Sequence, residues 1–79
     1  MRNKRDVSEH IKAKVQHVCE TICKLRTDKG VTREKLAYGI GIAKSYLGYI
    51  ERGQANPTLE TLLLIAEGLD TSVSKLTSS

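Results

Sequence analysis

The residues with the clearest chemical potential lie in the segment GIGIAKSYLGYIERG, residues 39–53, which combines glycines with a Lys44–Ser45 pair. Glycine-rich loops that lead into Lys-Ser bind nucleotide phosphates in many enzymes. A Walker loop, however, has glycine directly before the lysine and again five residues earlier, where this chain has Ala43 and Tyr38. A dinucleotide fingerprint would need a third glycine at position 44, and both motifs follow a strand. The spacing therefore argues against nucleotide binding.

The same segment fits a tight turn between two helices. Ala37 would be the small residue at the helix crossing, and Gly41 would accept the left-handed conformation of the turn. On a helical wheel the helix after the turn, residues 43–52, has an apolar side that carries Ala43, Tyr46, Leu47 and Ile50. The opposite side presents hydrogen-bond donors and a glycine that lets a surface approach: Lys44, Ser45, Gly48, Tyr49 and Arg52. Such a face suits the major groove of DNA.

Helical periodicity, about 100° per residue, predicts the elements that position this segment. We expect a long first helix over residues 8–29, with Ser8 as N-cap and Gly30 as C-cap. Thr32, Thr58 and Ser72 are expected to cap the helices that follow them. No strand-like alternation is present, so the chain is predicted to be one all-α domain of five helices. The predicted organisation is a flexible basic arm at 1–7, a domain at 8–76 with its helix-turn-helix at 32–52, and a tail at 77–79.

The charge of the 79-residue chain is unevenly spread. Its formal net charge is +4, with balances of +4 for residues 1–30, +2 for residues 31–53 and −2 for residues 54–79. This excess of positive charge in the first part of the chain fits a face that binds a polyanion, and on charge alone it fits a solvated basic surface without a partner equally well. The chain has no apolar run long enough for a membrane span or a signal peptide, so we expect a soluble, cytoplasmic protein.

Metal binding and catalysis find little support in the sequence. His10 and His17 share one face of the first helix, whereas Cys19 and Cys23 lie on another, which is poor geometry for a shared metal. Cys19 is expected to be a small core residue. No Ser/His/Asp or paired-carboxylate constellation is visible. We therefore expect no metal, no cofactor, no small-molecule ligand and no enzymatic activity.

Residues 30–76, GVTREKLAYGIGIAKSYLGYIERGQANPTLETLLLIAEGLDTSVSKL, closely resemble the phage Cro/repressor (Xre-like) helix-turn-helix family. The resemblance implies a compact, lambda-repressor-like DNA-binding domain of five helices, here with an extended first helix. It implies that helix 43–52 enters the major groove, where Lys44, Ser45 and Tyr49 would face base edges. It also implies phosphate contacts from Arg33, Tyr46, Arg52 and Asn56, and a structural ion pair between Arg26 and Glu51.

Four positions depart from the family pattern. Ala43 stands where Ser or Thr is common, so the recognition helix lacks a side-chain N-cap. Arg33 replaces a usual glutamine, Leu64 a usual polar residue, and Asp70 a usual glycine.

The expected function is that of a sequence-specific double-stranded DNA-binding transcriptional regulator, a repressor or controller that binds a palindromic operator as a homodimer. The alternative is a protein-interaction module, antitoxin-like or bridging. We expect Arg2, Lys4 and Arg5 of the arm to add affinity for DNA. The dimer surface is predicted at the end of the fourth helix and the C-terminal turn, at Leu64, Leu69, Val73 and Leu76.

Overall fold

Five α-helices follow one another along the chain in the computed structural model. It describes the backbone of residues 4–78 and the side chains of residues 8–78. The helices are α1 (Lys4–Asp28), α2 (Arg33–Ile40), α3 (Lys44–Glu51), α4 (Leu59–Gly68) and α5 (Val73–Thr77). There is no strand in the described residues, and the all-α prediction is confirmed.

Helix α1 begins four residues earlier than predicted. Its first residue is Lys4, so Ser8 lies inside the helix and is not its N-cap. Lysine and arginine are good helix formers and no glycine or proline interrupts this stretch, which allows the helix to continue into the basic segment. The backbone of residues 4–7 therefore belongs to α1, whereas Arg2 of the predicted arm lies outside the described residues.

Local capping chemistry fixes the other helix ends. The hydroxyls of Thr32, Thr58 and Ser72 accept hydrogen bonds from the backbone N–H three residues on, so all three predicted N-caps are confirmed. Gly41 has φ +77° and ends α2 in the left-handed conformation that the turn requires. Ala43 precedes α3 without a side-chain cap, as its methyl group dictates.

The core lies where α1, α2, α3 and α4 converge. Its most buried side chains are Cys19, Ile22, Leu47, Ile50, Ile65, Leu69 and Leu76. Helix α2 packs on α3 and α4, while α1 packs on α3 and α5. Cys19 is a core residue, as predicted, and burial raises the pKa of its thiol.

The face that α4 turns inward differs from the prediction. Helical periodicity over residues 58–67 predicts a core stripe of Leu59, Leu62, Leu63 and Ala66 with Ile65 at its flank. In the structure Leu59 and Leu63 are 67% and 53% exposed, whereas Ile65 is fully buried. The helix is apolar nearly all round, so its sequence could not select a face. The close approach to α2 selects it, because a Cβ at Gly68 would lie 2.7 Å from Ile40 and 2.8 Å from Leu36.

This orientation also corrects the predicted dimer surface. Leu69 and Leu76 are 1% and 0% exposed within a single chain, so they stabilise the monomer and cannot contact a partner. Leu64 and Val73 are half-buried. The large apolar side chains that α4 exposes to solvent are instead Leu59 and Leu63.

Candidate nucleic-acid interface

Helix α3 presents a polar face to solvent. Lys44, Ser45 and Tyr49 are exposed, and with Arg33, Gly48 and Arg52 they line a shallow depression of about 260 Å³. The opposite side of the helix holds Leu47 and Ile50, both fully buried. The predicted base-contacting residues therefore share one surface, which the core packing of α3 orients outward.

Arg52 closes one end of this surface. Its guanidinium lies 5.2 Å from the centroid of the Tyr49 ring, a cation–π distance, and its Nε donates to Gln54 Oε1 at 3.1 Å. A Cβ at Gly48 would lie 3.0 Å from Arg52 Nη1, so a side chain there would displace the guanidinium. The glycine thus permits Arg52 to lie flat across the helix.

A buried carboxylate joins the three helices beneath the surface. Arg26 of α1 donates from Nε and Nη2 to Glu51 at 2.6 and 3.0 Å, which is the ion pair that the resemblance implied. Arg33 of α2 donates from Nε to the same carboxylate at 3.1 Å. Arg26 also donates from Nη1 to the carbonyl of Val31 at 2.8 Å. The carboxylate of Glu51 thereby connects α1, α2 and α3.

The environment of Glu51 keeps it charged. Burial raises the pKa of Glu51, but the hydrogen bonds and positive charges of Arg26 and Arg33 outweigh that effect, so its pKa lies below the usual value. The two arginines carry one more positive charge than the carboxylate neutralises. Because the side chain of Arg33 is one-third exposed, part of this excess charge reaches the surface beside α3.

A second ion pair lies directly on the exposed face. Lys44 Nζ is 3.0 Å from Glu34 Oε1, with the side chains 56% and 74% exposed. Sequence reasoning missed this pair and the Arg33–Glu51 contact. Both depend on how α2 crosses α3, and no spacing within one helix reports that crossing.

The remaining predicted contacts are distributed around this surface. Tyr46 is half-buried against the core. Asn56 lies instead in a groove of about 530 Å³ between α1 and the α3–α4 loop, together with Ile11, Lys12 and Gly53 among others. The side chains of Lys4 and Arg5 lie outside the described residues.

Two other kinds of feature are absent from the part of the chain that the structure describes. None of its helices has the length and apolarity needed to cross a membrane. It also contains no group of three or more His, Cys, Asp or Glu side chains arranged to hold a metal ion.

Sequence and structure comparisons agree on the relatives of this chain. A profile of the helix-turn-helix family matches residues 24–76. The control protein C.SmaI of Serratia marcescens is 37% identical over 59 residues, which cover 75% of this chain and 70% of that protein.

Two restriction-modification controller structures are also similar. C.AhdI from Aeromonas hydrophila superposes with a TM-score of 0.75 at 38% identity, over 81% of this chain and 96% of that one. The C.Esp1396I tetramer in complex with its natural 35 base-pair operator gives a TM-score of 0.74 at 36% identity, over 80% of this chain and 83% of that one. The chain belongs to the Xre-like helix-turn-helix family of transcriptional regulators.

Proposed function

We propose that this chain is a sequence-specific regulator of transcription that inserts α3 into the major groove of operator DNA. The observation that carries the proposal is the outward donor face of α3, held on a buried ion pair and flanked by arginines. An α-helix fits the major groove, where each base pair presents its own pattern of donors and acceptors. The operator complex of C.Esp1396I, a relative at 36% identity, supports the assignment.

The residues divide by the chemistry of their side chains. Lys44 and Ser45, in the first turn of α3, can donate to acceptors on base edges such as guanine O6 and N7. Tyr49, one turn later, offers an aromatic edge and a hydroxyl. Arg33 and Arg52 lie at the rim, where their guanidinium groups suit phosphate oxygens. The base contacts would select the operator sequence, and the phosphate contacts would fix the position of α3 along the DNA.

A two-fold dimer would supply the specificity that one short helix cannot. Helix α3 has eight residues and spans about 12 Å at 1.5 Å per residue, which limits the number of bases within reach. Paired half-sites about one DNA turn apart would double the contacts. We place the dimer surface on the exposed leucines of α4, Leu59 and Leu63, with Leu64 and Val73 beside them. Leu63 and Val73 already line one depression.

Selection of bound DNA from a random pool tests the proposal. We expect a palindromic sequence to be enriched, and sedimentation of the protein with the selected duplex should show two chains per site. A variant with Leu63→Glu should remain folded, since Leu63 is exposed, but should bind the duplex far more weakly. A pool without enrichment would contradict sequence-specific binding, whereas enrichment of a single half-site would contradict only the dimer.

A further inference from the structure

The amino-terminal half of α1 lies at the edge of the core. The helix has 25 residues and is about 37 Å long at 1.5 Å per residue, in a molecule that measures 45 × 22 × 20 Å. Among its described side chains the first fully buried one is Cys19. The family profile matches residues 24–76, which begin after this half of the helix.

This half carries an apolar stripe that the chain covers only in part. Ile11 is 52% exposed, and Val15 and Val18 are half-buried. With Pro57 and Leu62 they line a groove of about 280 Å³. A helical segment of this length gains little stability alone in water, because most helix stability in proteins comes from packing an apolar face. Val15 and Val18 already pack against the core, so the uncovered part of the stripe is centred on Ile11.

The exposed face of α4 has the matching properties. Leu59 and Leu63 lie one turn apart, and Glu60 and Glu67 lie on the same solvent-exposed side of the helix. Residues 4–16 of α1 carry four Lys/Arg against two Asp/Glu, whereas residues 59–68 carry two Glu and no cation. The two stripes are thus both apolar, and the residues around them carry opposite net charge.

We propose that in the dimer the amino-terminal half of α1 crosses to the second copy and packs Ile11 against Leu59 and Leu63. This inference rests on the dimer in the proposed function and specifies its contacts. A two-fold axis makes the contact twice. Stable interfaces bury about 1,200–2,000 Å² in total, more than two exposed leucines per chain can supply, and two helix crossings add the missing area.

Cysteine cross-linking between two different variants tests the contact. Ile11→Cys and Leu63→Cys chains are prepared separately in a Cys23→Ser background, which removes the half-buried native thiol and leaves the buried Cys19. On mixing under mild oxidation we expect the disulfide between the two different variants to be the main product. Ala13→Cys, exposed on another face of α1, is the matched control and should form little of it. Disulfides between two Leu63→Cys chains, with Ile11→Cys unreactive, would overturn the inference.

Sedimentation separates this inference from the proposed function. We expect Ile11→Lys to raise the dimer dissociation constant at least tenfold and Ala13→Lys to leave it nearly unchanged. Both positions are exposed in the single chain, so both variants should keep the wild-type helix content by circular dichroism. If Ile11→Lys dimerises like wild type while Leu63→Lys does not, α1 has no part in the interface and the α4 dimer stands. A wild-type chain that stays monomeric at high micromolar concentration would overturn the dimer itself.

Discussion

The ammonium of Lys44 lies 3.0 Å from the carboxylate of Glu34, so an acidic side chain from α2 holds the residue expected to contact bases. Both side chains are more than half exposed, and ion pairs of this kind contribute little to stability. Lys44 can therefore leave Glu34 at small cost when a base offers a better acceptor. Where no such base is present, the carboxylate remains to repel DNA.

The Glu34→Gln variant should bind DNA more tightly and less selectively. Loss of the carboxylate frees Lys44 to contact the phosphates of any duplex, so affinity for random-sequence duplex should rise about three- to tenfold at low salt. Affinity for the operator should rise less. Fluorescence anisotropy with both duplexes measures the ratio of the two affinities, and Glu20→Gln on α1 is the control for a general change in charge. An unchanged ratio would show that Glu34 has no part in discrimination.

The Lys44→Ala variant should lose discrimination at one base pair. A good side-chain contact with a base edge is worth about 1–3 kcal/mol, or roughly 5- to 150-fold in preference. Competition binding with operators mutated one pair at a time would reveal the position that becomes tolerant. An equal loss of affinity for every duplex would instead assign Lys44 to the phosphates.

Replacement of Arg52 by alanine should weaken binding to all sequences alike. Its guanidinium lies at the rim of the α3 surface, and loss of one phosphate contact lowers the slope of log K against log salt by about one. Titrations at several salt concentrations measure that slope. Lys75→Ala on α5 serves as the control for the same loss of charge elsewhere. A slope equal to that of wild type would show that Arg52 does not contact a DNA phosphate.

Glu51→Gln should destabilise the fold by about 3–5 kcal/mol at pH 7, because it leaves the buried Arg26 without a counter-charge. The pKa of Glu51 is lowered in the folded state, so its contribution to stability is present above the unfolded value of about 4.3 and is lost as pH falls through the folded value. Urea unfolding from pH 7 to pH 3 should therefore show a steeper acid loss in wild type than in the variant. If the free energy of unfolding falls equally with pH in wild type and in Glu51→Gln, Glu51 is not the source of the acid sensitivity.

Ala43→Ser should stabilise the domain by about 1 kcal/mol, because it supplies the N-cap that α3 lacks. The backbone of Ala43 already has the extended conformation of an N-cap, with φ −69° and ψ 139°. Thermal unfolding measures the gain, and Ala13→Ser inside α1 is the control that should slightly destabilise. If Ala43→Ser and Ala13→Ser change the free energy of unfolding in the same direction, capping is not the cause of the gain.

Local chemistry accounts for most of what the sequence predicted. Thr32, Thr58 and Gly41 act through bonds to residues a few positions away, and their roles were visible without a fold. The orientation of α4 was not visible, because apolar residues surround the helix and only its packing against α2 selects the inner face. The contacts of Glu51 with Arg33 and of Glu34 with Lys44 join different helices, and a sequence does not record their crossing.

The link through Glu51 has a thermodynamic consequence. Arg26 and Arg33 fasten α1 and α2 to the end of α3, and the N–H of Ile42 bonds the carbonyl of Ala37 at 3.0 Å across the turn. The backbone of the DNA-facing surface is thus ordered before any duplex arrives. Association therefore loses little conformational entropy in the protein, and released counterions become a main source of its favourable entropy. Amide protons of α2 and α3 should accordingly exchange slowly in the free protein.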